Sequence, residues 1–310
     1  MSKFIDKIKN AQFDILELPS RGVFYNTGRS FFYVKYLTAK EENILTSPGF
    51  SETSGALDAV LESVLIEDIA IDDLISVDRK ALILFLRSTS FGDSFEMDLE
   101  CPSCRTKSKE TFRFSQIEMS DIEIDKNTKF SIDFKTDNKS ENFYKIEYRA
   151  LTYGEEKEVK AMDGIKIVTN EIIAKIQSIN QDKDREYIKK FVKSLSLKKF
   201  QELKNEINKS LPSILEELKF ECSNCGHVEK FPFLIDDGIL KLEPNYRNNF
   251  EDEVFLIQYY GKGGFDRDSI YDMSILRRRK TLERINEEIE KKNKAEEAAI
   301  QKSKNSKGKR

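Results

Sequence analysis

At 310 residues, 39% apolar and 35% charged, the chain is long enough for two or three packed units, and no run approaches the roughly 18 apolar residues of a membrane span. A formal net charge of −3 gives no general attraction to nucleic acid. The N-terminus MSKFIDKIKN lacks the apolar core and small-residue cleavage site of a secretory signal, which points to the cytoplasm.

In chain order, the alternating stretch FFYVK predicts a strand, and YLTAKEENI after it predicts a turn entering a helix with Glu41 and Glu42 in its first turn. Carboxylates there oppose the positive end of the helix dipole, and neighbours on a helix do not face one another, so the pair reads as a helix start and not as acid–base machinery. In SGALDAVLESVLIED, Leu57, Val60, Leu61, Val64 and Leu65 recur at helical spacing and predict an inward face. A further helix opens at Ser76, in SVDRKALILFLRS. Then SFEMDLE and ETFRFS, two strand-like runs, flank Cys101 and Cys104.

The pattern then returns. YKIEYR and ALTYGEEKEV repeat the strand and acidic helix start, with Glu155 and Glu156 as the second acidic pair and Leu151 lying 114 residues after Leu37. VTNEIIAKIQSI places Ile172, Ile173, Ile176 and Ile179 on one helical stripe, with Thr169 or Asn170 as N-cap. SLKKFQELKNEI follows the Ser76 helix by 120 residues, and Cys222 follows Cys101 by 121. Three anchors in the same order predict an α+β chain of two related halves, each a strand, helices and a C-x-x-C hairpin. The expected boundaries are an N-terminal segment 1–15, halves 16–125 and 126–237, a helical region 238–300 and a disordered basic tail 301–310.

Cysteine is the most informative residue type. A cytoplasmic chain keeps thiols reduced, and Cys101, Cys104, Cys222 and Cys225 supply the four ligands that Zn²⁺ takes in a closed tetrahedral site. The alternatives are a thioredoxin-like redox pair, which would open a helix, and plain reduced cysteines. Such a closed site has no open position, so it holds structure and does not catalyse. The single histidine, His227, follows the second pair and reads as an exposed turn residue or a weak donor to the site. GKGGF at Gly261–Phe265 lacks phosphate-loop spacing and marks a turn. No catalytic constellation, cofactor motif or small-molecule site emerges, and the expectation is a protein that is not an enzyme.

Beyond Asp237 the pattern becomes a short helix, the glycine turn, and a long charged helix from about Asp268. Ile275, Leu282, Ile285 and Ile289 form a thin seam on it, too narrow for a core helix and suited to binding a partner. The end, QKSKNSKGKR, has five basic residues and no acidic or apolar one, which predicts disorder.

LELPSRGVFY at Leu16–Tyr25, YLTAKEENILTSP, VDRKALILFLRSTSFGDSFEMDLECPSC and the second C-x-x-C together resemble the baseplate hub assembly proteins of T4-type contractile-tailed bacteriophages. The resemblance spans roughly 16–235. The C-terminal GGFDRDSIYDMSILRRRKTLERI is similar, less distinctively, to helical ends of such proteins. It implies a non-enzymatic late viral protein that contacts baseplate hub proteins in the host cytoplasm, and leaves open whether it stays in the virion, acts as an assembly chaperone, or self-associates. A zinc-ribbon nucleic-acid binder using the basic tail is the alternative, and the net negative charge weighs against it.

Overall fold

The computed structural model describes residues 12–47, 55–120, 122–125, 128–136, 143–162, 167–215, 217–235, 237–240 and 246–307. The N-terminal segment is therefore described only from residue 12, and the last three residues of the basic tail lie outside the described part. The chain forms two compact units. One holds residues 1–35, 64–88 and 92–239, the other 36–63, 89–91 and 240–310. These units interleave in sequence.

The first unit opens with an antiparallel hairpin of β1 (Phe13–Glu17) and β2 (Phe31–Lys35). Alternation turns Leu16, Phe32 and Val34 inward. Residues of α3 (Ser76–Phe91) follow, then a second hairpin, β3 (Ser94–Glu100) and β4 (Lys107–Arg113). A three-stranded antiparallel sheet is built from β5 (Ser131–Phe134), β6 (Tyr144–Tyr148) and β7 (Ile176–Ile179), with β6 central. Helices α4 (Tyr153–Ala161), α5 (Ile167–Lys175), α6 (Arg185–Ser194) and α7 (Leu197–Ser210) belong to the same unit, which ends on a third hairpin, β8 (Glu217–Glu221) and β9 (Val228–Pro232). Ile146, Ile172, Ile176, Ile179, Ile188, Leu203 and Ile207 are fully buried.

Ile176 and Ile179 differ from the expectation. They lie in β7 and not on a continued helical stripe, because the short Ile-Gln-Ser-Ile run pairs with β6. β-branched residues fit a half-buried pleat, and the sheet partner decides between two readings that both bury these side chains. Thr169 and Asn170 accordingly lie inside α5, which starts at Ile167, and cap nothing at its entry.

The second unit contains α1 (Ala39–Leu45), most of α2 (Gly55–Val64), α8 (Tyr246–Tyr260), α9 (Arg267–Tyr271) and α10 (Ile275–Lys307). Ala39, Phe250, Val254, Ile257, Ile270 and Met273 form its core cluster. Gly261 accommodates the turn after α8, since a Cβ there would sit 2.4 Å from the Ile257 carbonyl oxygen. The expected long helix is interrupted between α9 and α10, where Ser274 bridges to Thr38. It then continues as helix to Lys307, through residues whose composition predicted disorder. Lys, Gln and Asn cost little once a packed segment has nucleated the helix, and no Gly or Pro intervenes before Gly308.

Both predicted acidic helix starts are capping boxes. Thr38 caps α1, and its own amide and hydroxyl donate to the Glu41 carboxylate at 2.9 and 2.8 Å. Thr152 caps α4 and Glu155 reciprocates at 3.0 Å. Glu155 also pairs with Arg149; burial acts against its ionised form, but that guanidinium and the Thr152 amide prevail and hold its carboxyl below the usual range. Among the described residues, no helix is long and apolar enough to cross a membrane.

Candidate metal centre

The two C-x-x-C pairs occupy equivalent turns. In the first knuckle, the Cys101 amide donates to the Thr106 carbonyl at 3.0 Å and the Arg105 amide to the Cys101 carbonyl at 2.9 Å. In the second, Cys222 donates to His227 at 2.9 Å and Gly226 to Cys222 at 2.8 Å. Such a turn needs a left-handed residue directly after its second cysteine. Gly226 meets that with φ +68° at no steric cost, and Arg105 adopts φ +61°.

Aromatic side chains bring the knuckles together. Phe95 stacks on Phe114 at 4.7 Å and on Phe233 of the other hairpin at 5.0 Å, while Phe112 meets Phe231 edge-on at 5.8 Å. These phenylalanines pack across the two hairpins, with Phe114 just past the end of β4. Cys101, Phe220 and Cys222 are buried beside them.

This packing gathers all four sulfurs. Cys101 Sγ lies 3.7 Å from Cys225 Sγ, Cys104 Sγ lies 3.6 Å from Cys222 Sγ, and the four atoms fall within 4.8 Å of one another. With Zn–S bonds of about 2.3 Å, a tetrahedron places its sulfurs about 3.8 Å apart. The donor set, its count and its spacing therefore fit a metal ion. The sulfurs also sit too far apart for a disulfide, whose S–S bond is about 2.0 Å, and the four cysteines are free thiols.

The protons in the cluster are unevenly held. The Cys104 thiol is drawn down to about 5, first by the Thr106 hydroxyl, then by the Thr106 backbone and the Asn224 amide. At Cys225 the His227 backbone acts in the same direction, yet Cys104, burial, Cys101 and Cys222 together push its thiol up to about 12. Four thiolates cannot coexist this close without a cation to compensate them. The imidazole of His227 is 3.0 Å from Glu229, so the only histidine serves the site through its backbone carbonyl.

Two further polar clusters escaped sequence reasoning. In the first unit, Asp78 is buried and accepts from the Ser20 amide at 3.0 Å, the Ser20 hydroxyl at 2.6 Å and the Tyr25 hydroxyl at 2.7 Å. Burial raises its carboxyl despite these donors. This pins the Leu16–Tyr25 loop, where Arg21 and Gly22 both have positive φ. In the second unit, Arg278 is fully buried, with Nη2 on Glu42 and Nε on Glu253, both at 2.6 Å, and its guanidinium over Phe250. No local spacing signals either cluster, because the partners lie 25 to 236 residues apart.

The proposed partner seam divides. Ile275 is buried, and its amide donates to the Leu37 carbonyl at 2.9 Å. Leu282 and Ile285 pack partly buried against the core of their own unit. Ile289 is half-buried, and residues 290–300 are exposed. The Ile275 side chain is thus covered by its own unit.

Residues 25–236 match the family model described as T4 bacteriophage base plate protein. No curated protein and no solved structure matches the chain.

Proposed function

The chain belongs to the T4 bacteriophage base plate protein family, and on that premise we propose that it is a non-enzymatic assembly protein of a contractile tail, acting in the baseplate hub through protein–protein contacts. The family match over 25–236 carries this reading; it ends at the close of the second knuckle hairpin and takes in both cysteine pairs. Assembly would take place in the host cytoplasm. In this reading the four cysteines hold one structural Zn²⁺ that ties together knuckles 121 residues apart, and Cys101, Cys104, Cys222 and Cys225 leave no coordination position for substrate.

The two halves are proposed to be copies of one unit. Each pairs a hairpin with a Thr-capped helix and closes on a knuckle. Each Leu-Thr turn also receives the start of another helix: Ser76 N donates to the Leu151 carbonyl at 3.3 Å, as Ile275 N does to that of Leu37. An arginine follows three residues later in both, Arg79 over Tyr153 and Arg278 beside Glu42. In the second of these dockings the first residue of α10 takes the place that α3 takes in the first.

Partner contact is assigned to the exposed length of α10 from Ile289 onward. It carries its own ion pairs, Lys291 with Glu288 and Lys294 with Glu290, which support an exposed helix. Affinity capture of the tagged chain from infected cells, with mass spectrometry, is the test. Hub subunits recovered with the full chain and lost on removing residues 287–310 support the reading. Recovery of nucleic acid in a salt-dependent manner, without tail proteins, would replace it with the zinc-ribbon alternative.

A further inference from the structure

The two sheet-opening hairpins of the first unit provide an internal control. Their inner faces are alike: Leu16, Phe32 and Val34 in β1–β2, Phe134, Ile146 and Tyr148 in β5–β6. Their outer faces are not. On β5–β6 the register puts Ser131 opposite Glu147 and Asp133 opposite Lys145, and Ser178 of β7 donates to Glu147 at 2.7 Å. These positions are polar, and Ser131, Asp133 and Lys145 are exposed while Ser178 is buried against Glu147. On β1–β2 the same positions hold Phe13, Ile15, Phe31 and Tyr33, with Phe13 42% and Ile15 50% exposed. Tyr33 sits edge-on to Phe13 at 5.7 Å and to Phe31 at 5.3 Å, so these side chains form one continuous apolar surface.

The strand edges are already used. On one side the Tyr33 amide donates to Glu67, and its carbonyl accepts from Ile66 at 3.1 Å. On the other, the Ile15 amide donates to Asp14 Oδ1 at 2.8 Å, so a side-chain carboxylate stands where an added strand would bond. The face is the docking surface, and the edge is not.

Charge selects the occupant. The outer face ends in Glu17 opposite Phe31 at one end and in Lys35 opposite Phe13 at the other. Opposite charges at opposite ends make the face complementary to itself reversed. A two-fold axis perpendicular to the strands brings Glu17 of each copy to the end that holds Lys35 of the other, while an axis along the strands would set like charges together. We propose that the outer face of the β1–β2 hairpin is a self-association surface, on which Phe13, Ile15, Phe31 and Tyr33 of two copies of this chain pack sheet on sheet. Four such side chains expose on the order of 300 Å² per copy, below the roughly 800 Å² per partner of a standard interface. The dimer is therefore weak and concentration-dependent, formed where the chain is held at high local concentration.

Sedimentation equilibrium of the full chain, with reductant present to exclude disulfide-linked species, tests this. The expected result is a mass rising with concentration from 36.0 kDa toward twice that value. Ile15→Lys weakens dimerisation at least tenfold; Glu17→Lys weakens it; Glu17→Lys combined with Lys35→Glu restores it. Asp133→Ala, on the polar face of the second hairpin, changes nothing. A strictly monomeric chain at millimolar concentration overturns the proposal, as does a dimer indifferent to Glu17→Lys, a change at an exposed position that spares the fold. Metal content and hub capture play no part in these readouts, so the outcome is separate from the proposed assembly role.

Discussion

Each unit of this protein places charge in its interior, and does so by different means. The first gathers four cysteines from two knuckles; the second buries Arg278 between Glu42 and Glu253 and over Phe250. Both crosslink remote parts of the chain, Cys101 to Cys225 across 124 residues and Glu42 to Arg278 across 236. The thiol cluster fits a cation, which would come from outside. The arginine cluster brings its own. Burial alone would lower the charge affinity of Arg278, but the two carboxylates outweigh it and hold its pKa above the ordinary value. The first unit should therefore depend on metal and the second should not.

The largest effect is expected at the thiols. Cys101→Ser or Cys222→Ser should abolish stoichiometric zinc, one ion per chain by elemental analysis, and collapse the thermal transition of the first unit, since structural zinc contributes on the order of 10 kcal/mol to small sites. A chelator should do the same to the native chain. If the transition of the second unit fell with it, the contrast between the units would fail.

Next in size is Arg278→Leu, which removes the guanidinium bound to the buried Glu42 carboxylate and should cost about 3–5 kcal/mol in denaturant unfolding while zinc content stays at one. The pair Arg278→Met with Glu42→Gln should cost clearly less than the two single changes summed, because the fully buried carboxylate is neutralised with its guanidinium and only the partly exposed Glu253 loses its cation. Additive losses would show that the guanidinium acts by packing on Phe250 alone.

Leu282→Asp with Ile285→Asp comes third. Both residues lean on the core of the second unit, so the double change should destabilise that unit by about 2–4 kcal/mol without loss of metal. Ile289→Asp, one turn further along, should shift stability by no more than about 0.5 kcal/mol, because it stands outside the core cluster that Leu282 and Ile285 pack against. Smallest of all, removing residues 302–310 should leave both thermal transitions in place, because a helix end without apolar residues has nothing to bury.

The contrast between the clusters also explains what could be read in advance. Four cysteines at C-x-x-C spacing announce a metal site because few other uses suit that residue type in that pattern, and the strand-like runs flanking Cys101 and Cys104 announce a hairpin. Arg278 sits in a run of three arginines, and Glu42 in an acidic helix start whose local role was visible as a cap. Nothing nearby says which arginine turns inward.

The sequence by itself determined the local elements: the helix starts at Thr38 and Thr152, the strands FFYVK and YKIEYR, the two knuckles and the buried stripe from Leu57 to Leu65. Each rests on periodicity or on a bond between residues at most a few positions apart, which composition can encode. Only the tertiary structure decided that Ile176 and Ile179 join a sheet, that the helical region breaks at Ser274 before α10, that Ile275 is interior, and that the compact units interleave in sequence. Those outcomes depend on partners tens to hundreds of residues away, where many apolar or charged side chains compete for the same place and the packing of the whole unit selects among them.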